Sequence, residues 1–338
     1  MNTAGTPIPF QRRFVWLLRR EFWEHKGGFF WAPIWAAGIS LLLTLMAFVF
    51  AEVVGRKTMS AKGVLGDGAF MVNGIDLNSI TVQMSPDDLR NLAEGLTMSM
   101  ASAMMWPMLV LGFVVFFYCL GSLYEDRRDR SILFWKSLPL SDRDTVVSKV
   151  VSALLVAPVI ATLVGVVSML AFLLVLSAFV LLHNGNPFVL LWHPGSILGN
   201  IGVALAALPI YALWALPSVG WLMLCSAWAR SKPFLWALML PIFAGIFLTW
   251  FDWMSSIDLH STWFWKKVVG HLLLGVFPGT WAGTMRMETL LSSMWFDHVQ
   301  VIKAMYGVLA EPQLWVGAIA GVAMIYAAIR LRRSRDDT

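Results

Sequence analysis

Long apolar stretches alternate along this chain with short polar ones that carry most of the charge. A helix rises about 1.5 Å per residue, so about 20 consecutive apolar residues cross the roughly 30 Å hydrocarbon core of a bilayer. Six segments reach that length: 29–54, 101–122, 150–182, 199–228, 233–254 and 313–331. The third is long enough to tilt or to project from the bilayer. The fourth and fifth are separated only by Ala229-Arg230-Ser231-Lys232, which makes them an antiparallel hairpin. A further run, Val268 to Pro278, is apolar but too short to span, and runs of that size re-enter or lie in the interface. The pattern predicts an all-α integral membrane fold. It has six transmembrane helices, an N-terminal amphipathic interface helix, and a re-entrant helix that dips in from the outer face before the last span.

Composition agrees with the pattern. The chain has 338 residues, 58% hydrophobic and 13% charged, against about 25% charged in soluble domains. Cys119 and Cys225 both fall inside apolar runs, so no disulfide framework follows. The net charge of +5 would suit nucleic acid, but its distribution reads as membrane topology. Of the 25 Lys and Arg residues, seventeen lie on one side of the six spans, in Arg12 to Lys26, Arg127 to Lys149, Arg230 with Lys232, and Arg330 to Arg335. The other eight lie opposite, and the positive-inside rule then places both termini in the cytoplasm. No nucleic-acid partner is expected. The resulting division is an interface helix over 1–28, a transmembrane domain over 29–332 and a tail over 333–338. Outer loops cover 55–100, 183–198 and 255–312, and a cytoplasmic segment covers 123–149.

The first of these regions is amphipathic. Phe10, Phe14, Val15, Leu17, Leu18 and Phe22 share one helical face, which Glu21 interrupts. Arg12, Arg13, Arg19 and Arg20 lie on the other, with Trp16 and Trp23 among them. Such a helix suits the headgroup layer, as a lipid anchor or a docking surface. Farther along, Ser85-Pro86-Asp87-Asp88 has the order of a helix start.

Few residues offer chemistry. Gly55-Arg56-Lys57-Thr58 ends like a phosphate-binding loop, but Phe50 stands where its first glycine is needed. There is no His or Cys pair at metal spacing and no nucleophile elbow, so neither a catalytic nor a metal site is expected. Glu52 and Asp252 lie near the outer ends of the first and fifth spans, and no buried carboxylate relay of an ion-driven pump is evident. Trp214, Trp221 and Trp228 repeat every seven residues, with Tyr211 three before the first, so the four rings share a face. That face either walls an apolar cargo path or packs. Pro209 and Pro217 lie in the same span and favour a kink. Gly195 with Gly199, and Gly317 with Gly321, have the spacing of close helix contacts.

The cytoplasmic stretch from Leu123 to Asp144 is the most informative. Alternating charges from Glu125 to Arg130 lead into Ile132-Leu133-Phe134-Trp135, Pro139 ends that run, and Ser141 with Asp144 caps the next helix. Four large apolar side chains rimmed by Arg127, Arg128, Arg130 and Lys136 need a partner groove or the membrane to cover them. The stretch from Glu125 to Pro139 resembles the coupling segment of bacterial type-2 ABC exporter permeases, where a loop between the second and third spans docks onto a separate ATP-binding subunit. The order of elements is similar to that family across nearly the whole chain.

The resemblance implies the transmembrane subunit of an ATP-driven exporter in the bacterial inner membrane. Two permease chains, a homodimer or related copies, would pair with two ATPase subunits. ATP and Mg would be held on those partners and no cofactor on this chain. Arg12 to Lys26 would form the interface helix and Arg127 to Leu138 the coupling helix; the cargo stays open. Two other readings remain. One is an intramembrane enzyme acting on a lipid-linked substrate through Asp252, Asp258, His260 or His271. The other is a non-transporting scaffold that anchors an ATPase.

Overall fold

Six helices are long and apolar enough to cross a membrane in the computed structural model, which describes residues 10–61, 85–129, 141–192, 194–255, 261–284 and 297–334. Every regular element among the described residues is helical. Helix α1 (Phe10–Glu24) leads through a π-helical stretch, Gly27–Trp31, into α2 (Ala32–Ala61). Then come α3 (Pro86–Arg128), α4 (Asp142–Leu182, π-helical over Ser152–Val156), α5 (Pro194–Trp228) and α6 (Pro233–Ser255). A shorter helical run over 261–274 (α7) turns into a 3-10 segment, Thr280–Thr284, and α8 (His298–Gly307) and α9 (Pro312–Ser334) follow.

Local signals set the helix starts. The Ser85 hydroxyl accepts from the Asp88 amide at 3.2 Å, and the Asp88 carboxylate accepts from the Ser85 amide at 3.3 Å. This capping box satisfies two of the amide groups that a helix start leaves free. The Ser141 hydroxyl likewise accepts from the Asp144 amide at 3.0 Å. The expected outer helix and second span prove to be one 43-residue helix. Met100 and Met104 sit in one buried cluster with Met169 and Leu173 of α4, so packing continues along the helix and nothing ends it at residue 100.

Helix α5 occupies the centre of the bundle, against α3 and α9. A Cβ on Gly220 would lie 2.5 Å from the Gly321 carbonyl oxygen, and one on Gly321 would lie 2.6 Å from that of Leu216, so α5 and α9 meet backbone to backbone. That is the close approach glycine allows in membrane helices. Gly321 thus uses its expected role, and Gly199 sits against the His298 ring, while Gly195 faces open space. The α5–α6 hairpin forms as expected, with the Trp221 indole donating to the Ala237 carbonyl at 3.0 Å. Large apolar side chains stay exposed on the rim of the bundle, among them Leu42, Met46 and Phe50 of α2 and Phe243 and Phe247 of α6. Such area is a liability in water and the proper surface in lipid.

Candidate functional site

The end of the bundle that carries α1 and the last turn of α9 buries a chain of charged side chains. Glu21 of α1 is fully buried. The Tyr118 hydroxyl of α3 donates to its Oε2 at 2.9 Å, and the Lys149 Nζ of α4 lies 3.2 Å from its Oε1. Lys149 is 1% exposed and also lies 3.7 Å from Oδ2 of Asp126 on α3. Arg332 of α9 donates to that Asp126 oxygen at 3.0 Å and to Oδ1 of Asp142 on α4 at 3.2 Å. Arg20 closes the other end on Glu21 at 3.1 Å. From Arg20 through Glu21, Lys149, Asp126 and Arg332 to Asp142 the charges alternate in sign and balance. A buried ion costs several kcal/mol to desolvate, and opposite neighbours at these distances offset much of it.

The helices deliver these groups by register. Cys119, Ser122, Leu123 and Asp126 form the buried stripe at the end of α3, at the i, i+3, i+4, i+7 spacing of one face. Near the cluster the buried polar positions of α4 are Thr145, Ser148, Lys149 and Ser152, and the three small ones leave room for the lysine. On α1, Leu17 and Glu21 face inward one turn apart, while Val15 is 61% exposed. The face that α1 turns to the bundle is thus only part of its apolar face. It centres on the acid that seemed to interrupt it, because Lys149 waits opposite.

A fifth helix is tied in next to the cluster. The Arg127 guanidinium donates to the carbonyls of Ser226 and Ala229, the latter at 3.0 Å. These lie in the last turn of α5 and just past its end, where carbonyls lack helical partners and cationic side chains cap them well. The Ser226 hydroxyl accepts in return from the Leu123 and Tyr124 amides at 3.1 and 3.0 Å. Arg127 thus serves the bundle itself, and Arg128 is exposed. Arg130, Ile132, Leu133, Phe134, Trp135 and Lys136 lie outside the described residues. The two ends of that segment do not. Asp126 to Asp129 lead into it and Ser141 with Asp142 lead out of it, so both roots stand in the same charge cluster.

On α1, Arg12 and Arg19 are exposed and Arg13 is half-buried. Arg19 lies over the Trp16 ring at 5.8 Å and Lys26 over Trp23 at 5.0 Å, with both indoles more than half exposed. Glu21, Glu24 and His25 place ligand atoms within 4.8 Å of one another. The Glu21 oxygens are already taken by Lys149, Tyr118 and Arg20, which leaves that group poorly suited to a metal ion.

The four aromatic residues of α5 are shared between two neighbours, segment 261–284 and α6. The Tyr211 hydroxyl donates to the Val276 carbonyl and the Trp214 indole to the Thr280 hydroxyl, both at 3.0 Å. Trp214 also stacks on the His271 ring at 4.1 Å, while Trp221 holds α6 and Trp228 meets Trp236 edge-on at 5.1 Å. Segment 261–284 is therefore docked on α5. His271 Nε2 lies 2.9 Å from the Trp214 carbonyl, and Ser218 donates to the His271 carbonyl. His271 stands outside the six spans, and burial lowers its pKa. The hydrogen bond to Trp214 opposes that shift and Lys267 adds to it. At the opposite end of the bundle from the cluster, Glu52 of α2 pairs with His183 at 3.0 Å. Asp258 and His260 lie outside the described residues.

Glu21, Tyr118, Asp126, Asp142, Lys149 and Arg332 were not legible as a site. Each reads singly as an interruption, a span residue, a topology marker or part of a helix start. The available signal was one acid on an apolar helix face and one lysine inside a long apolar helix. No protein-family model matches this chain, and no curated protein or solved structure matches it.

Proposed function

We propose that this chain is the transmembrane permease subunit of an ATP-driven type-2 ABC exporter. It works as a pair of copies in a bacterial inner membrane, with both termini in the cytoplasm. Separate ATP-binding subunits hold ATP and Mg and supply the motor. One observation carries the reading: segment 130–140 hangs between two helix ends that are rooted in one buried charge cluster. A pull on that segment reaches α3 through Asp126 and α4 through Asp142, and through Lys149 and Arg332 it reaches α1 and α9. Separating any one partner would strand a buried charge, at about 3–5 kcal/mol, so the four helix ends respond as a unit. This is what a handle for an external motor requires. The apolar-aromatic run Ile132 to Trp135 is the contact surface for the partner.

The test is co-purification of the chain with an ATPase encoded beside it, followed by the double substitution Phe134→Asp with Trp135→Asp. We expect the double variant to insert and fold but to lose the ATPase partner by about tenfold or more, because two hydrophobic anchors in a groove are replaced by charges. Unchanged assembly and unchanged cargo-stimulated hydrolysis in reconstituted vesicles would refute the coupling role. Partner binding without any cargo-stimulated hydrolysis would favour a scaffold. The intramembrane-enzyme reading is less well served, because His271 is docked on α5, with Nε2 on the Trp214 carbonyl and its ring stacked on the Trp214 indole.

A further inference from the structure

Away from the charge cluster, the bundle encloses a cavity of about 330 Å³ between α3, α4, α5 and the turn at Pro278–Trp281. Met104, Met105 and Met108 supply one wall and Tyr211 borders another. No charged side chain lines it. A charged ligand would lose its hydration there with no counter-charge, which costs far more than a neutral one loses. Methionines are flexible and polarizable, and they suit an apolar guest of variable shape. Met105 is 62% exposed. It stands on the span of α3, so the cavity opens sideways toward the surface that lipid covers.

Two polar groups in this lining are unanswered. Thr162 is 2% exposed and Asn200 is 8% exposed. The Asn200 amide donates through Nδ2 to the Thr97 carbonyl at 3.4 Å. Its Oδ1, and the Thr162 hydroxyl, make no hydrogen bond among the described residues. Neither oxygen is sealed inside the protein, and both residues line the cavity. A guest that supplies a donor and an acceptor can bond to them. The volume sits at the lower end of small-molecule sites, which run from about 300 to 1,000 Å³.

We propose that this cavity is a binding site for a neutral lipophile of small drug size that carries one hydroxyl or amide group and enters from the bilayer. The site stands on its own geometry, whatever subunit drives the protein. The probe is 3-azioctanol, a neutral photoreactive alcohol, compared with its hydroxyl-free diazirine octane analogue on the purified chain in nanodiscs. Adducts are located by mass spectrometry. We expect saturable alcohol adducts on Met104, Met108 and Tyr211, and Ala204→Phe, which fills the cavity, to reduce them about tenfold. Asn200→Leu should weaken alcohol labelling about tenfold, the scale of one lost hydrogen bond, and leave the octane analogue within about twofold. Adducts scattered without saturation over lipid-facing residues such as Val49 and Phe243 would overturn the proposal. So would alcohol labelling that Asn200→Leu leaves unchanged. Circular dichroism and thermal melting identify any variant that fails to fold, and the saturation test on the unmodified chain then decides.

Discussion

Two regions of this molecule hold distant segments together by opposite means. At the end bearing α1 and the close of α9, full charges meet: Glu21, Lys149, Asp126 and Arg332 are each at most 8% exposed in the side chain. At the dock of segment 261–284 on α5, the ties are neutral: hydroxyl, indole and imidazole groups on carbonyl or hydroxyl oxygens, and one stacked ring pair. A charge gains most from a partner where water is excluded, and it loses most when that partner is taken away. A neutral hydrogen bond nets only about 1 kcal/mol. The charged region therefore behaves as a stiff joint that resists partial opening, and the neutral dock as a seat that can loosen at small cost. Helix α9 touches both. Gly317 lies 3.5 Å from the His271 ring by its would-be Cβ, and Arg332 lies fifteen residues on, about 22 Å along the helix.

Lys149→Met should be the most damaging change. It leaves Glu21 and Asp126 without their shared cation, at a cost of about 3–5 kcal/mol. A thermal melt of the purified chain in detergent would show the loss, and Glu21→Met together with Lys149→Met should recover much of it. If the double variant is no better than the single, the pair is not what holds α1. Arg332→Met comes next, at about 2–3 kcal/mol, because Asp126 keeps Lys149 and Asp142 is partly exposed. Proteolysis within 130–140 should accelerate in that variant as the roots of the segment loosen, and an unchanged rate would argue against the shared anchoring. His271→Phe tests the neutral dock. It keeps a ring on Trp214 and removes one hydrogen bond, for about 1 kcal/mol. A loss as large as that of Lys149→Met would erase the distinction between the two regions.

How much of this was legible depended on the kind of signal. Span positions follow from runs of apolar residues, and the caps at Ser85 and Ser141 follow from short-range spacing, so both appear in the sequence and in the structure. The aromatic repeat on α5 was legible as a face and α6 as its hairpin neighbour, but segment 261–284 was not, because it reaches that face from 65 and 66 positions away. The inward position of Glu21 was not legible, because its counter-charge Lys149 lies 128 residues away. The cluster itself pairs residues 128 and 206 positions apart, which no local pattern encodes.

By itself the sequence determined that this is a helical membrane protein with six spans, since backbone groups in lipid must bond within their own helix and that demand leaves its mark on every stretch long enough to cross. It also determined where the charges stop. Only the tertiary structure decided which of those charges are buried together. The worth of a buried ion depends on what lies within about 4 Å of it, and that distance is set by helices meeting in space, not by the order of residues along the chain.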